Sequence, residues 1–80
     1  MTLDGLEADR PARITGVEWA ALVPEEAKRL QALGLDAGAE IAVLYRGIFG
    51  GRDPIAVRLG RTTIALRRAH ARAVTVEPDA

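Results

Sequence analysis

The segment from Leu30 to Leu44 reads LQALGLDAGAEIAVL and contains the signals for a helix end, a turn and a strand start. Gly34 stands where a helix C′ residue is expected, because glycine reaches the left-handed backbone conformation without a Cβ penalty. Leu35 and Leu30 then occupy the C″ and C3 positions, whose side chains form the hydrophobic contact of a Schellman motif. These signals predict that a short helix ends just before Gly34.

A turn and a strand follow this helix end. Asp36-Ala37-Gly38 is typical of a turn, with Gly38 placed for positive φ. The spacing of apolar residues then changes from about 3.6 to 2, as Ile41, Val43 and Tyr45 alternate with the residues between them. Three local signals therefore agree on a change from helix to strand.

The composition indicates one small globular domain spanning residues 1–80. Apolar residues make up 49% of the 80 residues, and cysteine is absent, which excludes a disulfide framework, a thiolate metal site and a thiol nucleophile. The first ten residues contain three acids and no apolar run, so no secretory signal is expected. The segment from Trp19 to Pro24 is too short to cross a bilayer. We therefore expect a cytoplasmic protein.

Charge is balanced overall but unevenly distributed. Residues 1–40 contain eight acidic and four basic residues, whereas residues 41–80 contain seven arginines and three acids. An arginine-rich face could bind phosphate or carboxylate groups. The alternative interpretation is a solvated strand face on a neutral protein.

The remaining patterns predict mainly β structure with one added helix. Pro24 suits the first position of a helix, predicted at about 24–33, and Glu25 and Glu26 favour the positive end of its dipole. Strands are predicted at 12–17, 39–46, 55–59, 62–66 and 74–76, with a bulge at Gly16, a type II′ turn at Gly60, a helical turn at 67–72 and a tail at 77–80. Such a small sheet must curl to protect its edges, which favours a small SH3-like barrel of about five strands.

Residues suited to catalysis or metal binding are few. His70 is the single imidazole, and serine and cysteine are absent, so a nucleophile with a nearby base is not expected. Gly47 to Gly51 is not followed by a lysine or a helix, which excludes a phosphate loop. The candidate metal ligands His70, Asp53, Glu40 and Asp36 follow no known spacing. The sequence therefore predicts no enzyme, no cofactor and no resident metal.

Several stretches in order resemble the FeoA domain of bacterial ferrous iron transport. The matching stretches are 29–35, 38–41 with Val43, 46–47, 53–58, 65–68 with Ala71, and 74–76. The resemblance implies an SH3-like barrel that acts as a cytoplasmic accessory protein and binds and modulates FeoB, a membrane permease with a cytoplasmic GTPase domain. The sequence departs from the family pattern at Ile48, Arg52, His70 and Arg72.

A binding module would need a contact surface and a platform. Ile48 and Phe49 occupy the tip of a glycine-rich loop, where apolar side chains either fold back or contact a partner. The contact residues are predicted to be Arg46, Ile48, Phe49, Arg67 and Arg68, with the arginines pairing with acidic groups. The platform is predicted to consist of Leu30, Leu33, Gly34, Leu35 and Gly38.

Other functions remain open at this point. A nucleic-acid-binding small barrel would use the arginines of residues 46–72, although the neutral net charge and the few aromatic residues oppose this. A metal-responsive regulatory module would change its oligomer or partner with ferrous iron. Self-association through an exposed sheet edge is also compatible with the sequence. Trp19, like Phe49, could belong either to the core or to an interface.

Overall fold

A five-stranded sheet and one main helix make up most of the computed structural model, which describes residues 1–46 and 53–79, with the side chain of Arg46 outside the description. Helix α1 spans Pro24–Ala32 and the short helix α2 spans Arg68–Ala71. The strands are β1 (Ala12–Val17), β2 (Glu40–Arg46), β3 (Ile55–Leu59), β4 (Thr62–Leu66) and β5 (Val74–Pro78). Two 3₁₀ turns, Leu3–Gly5 and Trp19–Ala21, complete the elements.

The strands pair antiparallel in the order β4-β3-β2-β1-β5. The predicted mainly β architecture with one added helix is therefore confirmed. The core contains the buried apolar side chains of all five strands, together with Leu30 of α1 and Leu3 and Leu6 of the N-terminal segment. These two leucines are three residues apart and cover one end of the core.

The end of α1 has the hydrogen bonds of a Schellman motif. Leu35 N–H donates to Leu30 C=O at 2.9 Å, and Gly34 N–H donates to Gln31 C=O at 3.0 Å. Gly34 has a φ of 101°, a region that L-residues rarely adopt. Leu30 and Leu35 are fully buried, and Leu33 packs against the core at its margin. The helix ends at Ala32, with Leu33 as its C-cap, one residue before the predicted end.

The turn after α1 is attached to β1. Gly38 has a φ of 91°, and Ala39 N–H donates to Asp36 C=O at 3.2 Å. Gly38 N–H donates to Ile14 C=O at 2.7 Å, while Ile14 N–H donates to Ala39 C=O at 2.9 Å. These bonds place the start of β2 beside β1, so the turn fixes how the helix connects the two strands.

Two register shifts bend the sheet. One lies between Ile14 and Gly16 on β1, where the sequence predicted a bulge. The other lies between Val43 and Tyr45 on β2, so that Val43 pairs with Val57 while Tyr45 pairs with Ala56. Because the extra residue interrupts the alternation, Tyr45 does not join Ile41 and Val43 in the core and is 54% exposed.

Strand β5 is longer than expected, and the tail predicted at 77–80 is wrong for Glu77 and Pro78. These residues pair with Arg13 and Ala12, and Asp79 N–H donates to Pro11 C=O at 3.0 Å. The nitrogen of Pro78 points away from β1 because it lies between two hydrogen-bonded pairs of the ladder. Proline's missing N–H therefore leaves the β1–β5 ladder intact.

Candidate functional site

Helix α1, the end of β4 and helix α2 enclose a cleft of about 400 Å³. Five of the seven residues that line it have ionisable side chains. Its lining residues are Glu26, Arg29, Asp53, Pro54, Ala65, Arg67 and His70.

One wall of the cleft is the start of α2. Arg67 follows directly after β4 and is the N-cap residue of α2, and its C=O accepts hydrogen bonds from His70 N–H at 2.9 Å and Ala71 N–H at 3.0 Å. Asp53 Oδ1 accepts a hydrogen bond from Arg68 N–H at 2.5 Å. The N–H of Arg68, which has no partner within the helix, is thus satisfied by the side chain of Asp53, two residues before β3, in the manner of an N-cap.

The opposite wall is one turn of α1. Arg29 Nε donates to Glu26 Oε1 at 2.9 Å, and a second guanidinium nitrogen, Nη2, also contacts that oxygen. The hydrogen bond from Arg29 holds the pKa of the Glu26 carboxyl below its ordinary value, with the charges of Arg29, His70 and Arg67 acting in the same direction. Partial burial opposes this lowering of the pKa. Glu26 is therefore ionised at neutral pH and paired with Arg29.

Arg67 is the cation of the cleft that retains binding capacity. Its side chain is exposed, and within residues 1–46 and 53–79 no carboxylate lies within ion-pair distance of its guanidinium. Arg29 already pairs with Glu26, and Asp53 caps α2. A guanidinium offers planar paired donors that match a carboxylate, and His70 lies in the same cleft. The arrangement can therefore bind an acidic group.

The predicted contact residues lie in different places. Arg67 lines the cleft, and the partly buried Arg68 lies beside it with its backbone N–H bonded to Asp53. Arg46 ends β2 and pairs with Ile55, near the same end of the sheet as Leu66 of β4. Ile48 and Phe49 fall outside the described residues.

Sequence reasoning missed the Glu26–Arg29 ion pair and the capping role of Asp53 in the cleft. Glu26 was interpreted only as an acid at the helix start, although its spacing to Arg29 is that of a helical ion pair. Asp53 was considered as a metal ligand, whereas the structure shows it capping α2. No sequence signal could have identified that cap, because 15 residues separate Asp53 from Arg68.

Two further surface features follow from the described residues. Trp19 is partly buried and packs against the core, whereas Val23 is 60% exposed.

In the described part of the chain, no three His, Cys, Asp or Glu residues are grouped so that they could hold a metal ion. No helix among these residues combines the length and apolar character needed to cross a membrane.

Comparison with known proteins identifies the relatives of this chain. The FeoA domain matches residues 1–78. The FeoA protein of Chlorobium tepidum is 36% identical with a TM-score of 0.84, covering 100% of this chain and 71% of that one. The zinc-complexed FeoA of Stenotrophomonas maltophilia, described as a prokaryotic SH3 domain protein and a suggested activating factor of ferrous iron transport, is 34% identical with a TM-score of 0.76, covering 96% of this chain and 89% of that one.

A longer relative has the same fold. The iron(II) transport protein A of Clostridium thermocellum is 31% identical with a TM-score of 0.82, and the match covers 98% of this chain. This chain spans 45% of that protein's length. The comparison with curated proteins finds no match. These comparisons confirm the resemblance to FeoA deduced from the sequence and the predicted SH3-like fold.

Proposed function

The chain belongs to the FeoA family, and from this premise we propose that it is a cytoplasmic accessory protein that binds and modulates a FeoB-type ferrous iron permease. The observation that carries the proposal is the match of the FeoA domain to residues 1–78 of this chain. The family is one of ferrous iron transport accessory proteins with an SH3-like fold. Contact with the permease would hold the chain at the membrane.

The chemistry of the cleft supports a role in binding. Glu26 pairs with Arg29, and Asp53 accepts a hydrogen bond from the start of α2, which leaves Arg67 and His70 of the cleft to contact a partner. Cationic groups at the rim of an interface increase the association rate and select acidic partners. We propose that Arg67 and Arg68, together with Arg46, Ile48 and Phe49, form the contact with the permease.

A calorimetric titration of the chain into the soluble GTPase domain of the same cell's FeoB tests this proposal. We expect saturable binding, which Arg67→Gln weakens by about fivefold at low ionic strength, since a rim ion pair contributes up to about 1 kcal/mol. Arg13→Gln, which removes the same charge from an exposed position on β1, is the matched control and should bind like the unchanged chain. Phe49→Ala should weaken binding without lowering the melting temperature.

The titrations are run with and without nucleotide and ferrous iron. Absence of binding to both the GTPase domain and the full permease would refute the proposal. Equal weakening by Arg67→Gln and Arg13→Gln would refute the assigned surface, because it would indicate a general charge effect. Steeply salt-dependent affinity for RNA or DNA would instead favour a nucleic-acid-binding barrel.

A further inference from the structure

Strand β4 lies at one end of the sheet, so one of its two edges faces away from β3. Leu59 pairs with Thr62 across a two-residue turn whose first residue, Gly60, has a φ of 60°. The pair that closes such a turn exchanges both backbone hydrogen bonds, and hydrogen-bonded pairs then alternate along the ladder. Pairs 57–64 and 55–66 are therefore hydrogen-bonded as well. The N–H and C=O groups of Thr63 and Ala65 consequently point outward, away from β3.

The opposite end of the sheet is protected. Val76 N–H of β5 donates to Met1 C=O at 2.8 Å, and Thr2 forms a bridge with Thr75. The N-terminal residues thus cover the outer edge of β5. Within residues 1–46 and 53–79, no backbone group bonds to the outward N–H and C=O groups of Thr63 and Ala65. Of the two terminal strands, β4 is therefore the one whose outer edge is not paired by any residue that the structure describes.

Arginines flank this open edge. Thr63 and Ala65 of β4 alternate with the buried Ile64 and Leu66, so their side chains lie on the solvent-facing side of the strand. Arg61, in the turn before β4, and Arg67, at the N-cap of α2 directly after it, are exposed at the two ends of the strand. The edge is accessible at its centre and cationic at both ends.

This charge pattern opposes pairing with a second copy of the chain. The antiparallel register that pairs Thr63 with Ala65 of another copy uses every outward group of both residues. The same register brings Arg61 of each copy beside Arg67 of the other, because the pairing is antiparallel and the two arginines flank opposite ends of β4. Like charges directly opposite each other destabilise a strand pair. A segment with carboxylates beside Arg61 and Arg67 would be attracted at both ends of the edge, whereas a second copy of the chain would be repelled there.

We propose that the edge of β4 binds an extended segment of a partner protein as an added strand, with acidic residues opposite Arg61 and Arg67. The segment would bond to the outward groups of Thr63 and Ala65 in the manner of strand addition. Ala65 and Arg67 also line the cleft, so one end of the segment enters it and brings its carboxylate to Arg67. The inference rests on the proposed binding function and specifies the partner's chemistry.

An NMR titration of the isotope-labelled chain tests this inference. The probe is a capped heptapeptide, Glu-Val-Thr-Val-Thr-Val-Glu, whose acids have the spacing of the two arginines. We expect the largest amide shifts within residues 61–67 and small shifts on β1 and β5. The same peptide with glutamine at both ends is the matched control and should bind about fivefold to twentyfold more weakly at low ionic strength.

Variants of the chain distinguish backbone pairing from charge attraction. Ala65→Pro removes an outward N–H without removing a bond to β3, so the fold should persist and peptide affinity should fall about tenfold. The double variant Arg61→Gln with Arg67→Gln leaves the backbone unchanged and should make the chain indifferent to glutamate or glutamine in the peptide. Arg13→Gln serves as the control for loss of charge.

The outcomes separate this inference from the proposed function. Absence of shifts in residues 61–67, or equal affinity of both peptides for the unchanged chain, would overturn the inference. Concentration-dependent dimers that Ala65→Pro abolishes would also overturn it, because the occupant would then be a second copy. If the chain binds the permease and Ala65→Pro binds it equally well, the proposed function stands and the β4 edge is excluded. If the chain binds the peptide but not the permease, the proposed function fails alone.

Discussion

Replacement of Gly34 by alanine measures how much the positive φ at the end of α1 lowers the free energy of unfolding when the residue has a side chain. A methyl group at Gly34 would have no non-bonded heavy atom within 4 Å, so a steric clash with the rest of the fold does not contribute. Its φ of 101° costs an L-residue about 1–2 kcal/mol. Alanine recovers about 0.4–1 kcal/mol by restricting the unfolded chain, which leaves a net loss of about 1 kcal/mol. Valine, branched at Cβ, should lose about 2 kcal/mol or more.

Thermal unfolding followed by far-ultraviolet circular dichroism measures this loss. For a domain of this size, about 1 kcal/mol lowers the melting temperature by about 4–8 °C. We therefore expect a decrease of that size for Gly34→Ala and roughly twice that for Gly34→Val. Gly16→Ala is the matched control, because Gly16 also has open space around its Cβ direction but does not have a positive φ. Its melting temperature should stay constant or rise slightly.

The comparison of the two alanine variants can refute this reasoning. If Gly34→Ala melts at the temperature of the unchanged chain, the positive φ at Gly34 carries no energetic cost. If both alanine variants lose the same stability, the loss does not come from backbone strain at the helix end.

Two further predictions concern the walls of the cleft. Asp53→Ala should cost about 0.5–2 kcal/mol in urea unfolding and accelerate hydrogen exchange of the Arg68 amide, because it removes the acceptor at the start of α2, whereas Asp53→Asn should lose less. Unchanged exchange at Arg68 in the alanine variant would contradict the cap. Because Arg29 lowers the folded-state pKa of Glu26, this pair stabilises the fold above the unfolded-state pKa, and the contribution is lost as pH falls through the folded-state pKa. Urea unfolding should show Glu26→Gln less stable by about 0.2–0.5 kcal/mol near neutral pH. That difference should disappear in acid, and a pH-independent difference would contradict the ion pair.

The helix end and the turns could be predicted because their determinants lie within a few residues. Gly34 and the two leucines around it define the Schellman motif without any distant contact. Gly60 likewise specifies the tight turn between β3 and β4, which then fixes the pairing of Leu59 with Thr62. Such local rules were sufficient to predict the number of strands and their approximate positions along the chain.

The bulge in β2 could not be predicted in the same way. Residues 41–45 read IAVLY, so every position is apolar and a register shift leaves no gap in the hydrophobic pattern. The shift is visible only in the pairing with β3, where Val57 and Ala56 are consecutive but Val43 and Tyr45 are not. The exposure of Tyr45 is thus a property of two strands together.

The cleft could not be predicted from the sequence, because residues far apart along the chain form it. Arg67 was predicted as a contact residue from its type and position, but its neighbours Glu26 and Arg29 are about forty residues away along the chain. Long-range placement depends on how α1 packs beside the end of β4, which no local pattern encodes. The same long-range placement determines that Arg67 has no ion-pair partner among the described residues, because Glu26 pairs with Arg29 and Asp53 caps α2.

The positive charges of Arg61 and Arg67 beside the β4 edge both oppose pairing with a second copy and favour an acidic partner. An open strand edge is an aggregation hazard, and natural proteins protect such edges with charge. Arg61 and Arg67 supply this protection here, since they face each other when two copies pair through the residues between them. The same charges leave the edge available to a strand of opposite sign. Protection from self-pairing and preference for an acidic partner are therefore coupled, and a change that neutralises these arginines weakens both.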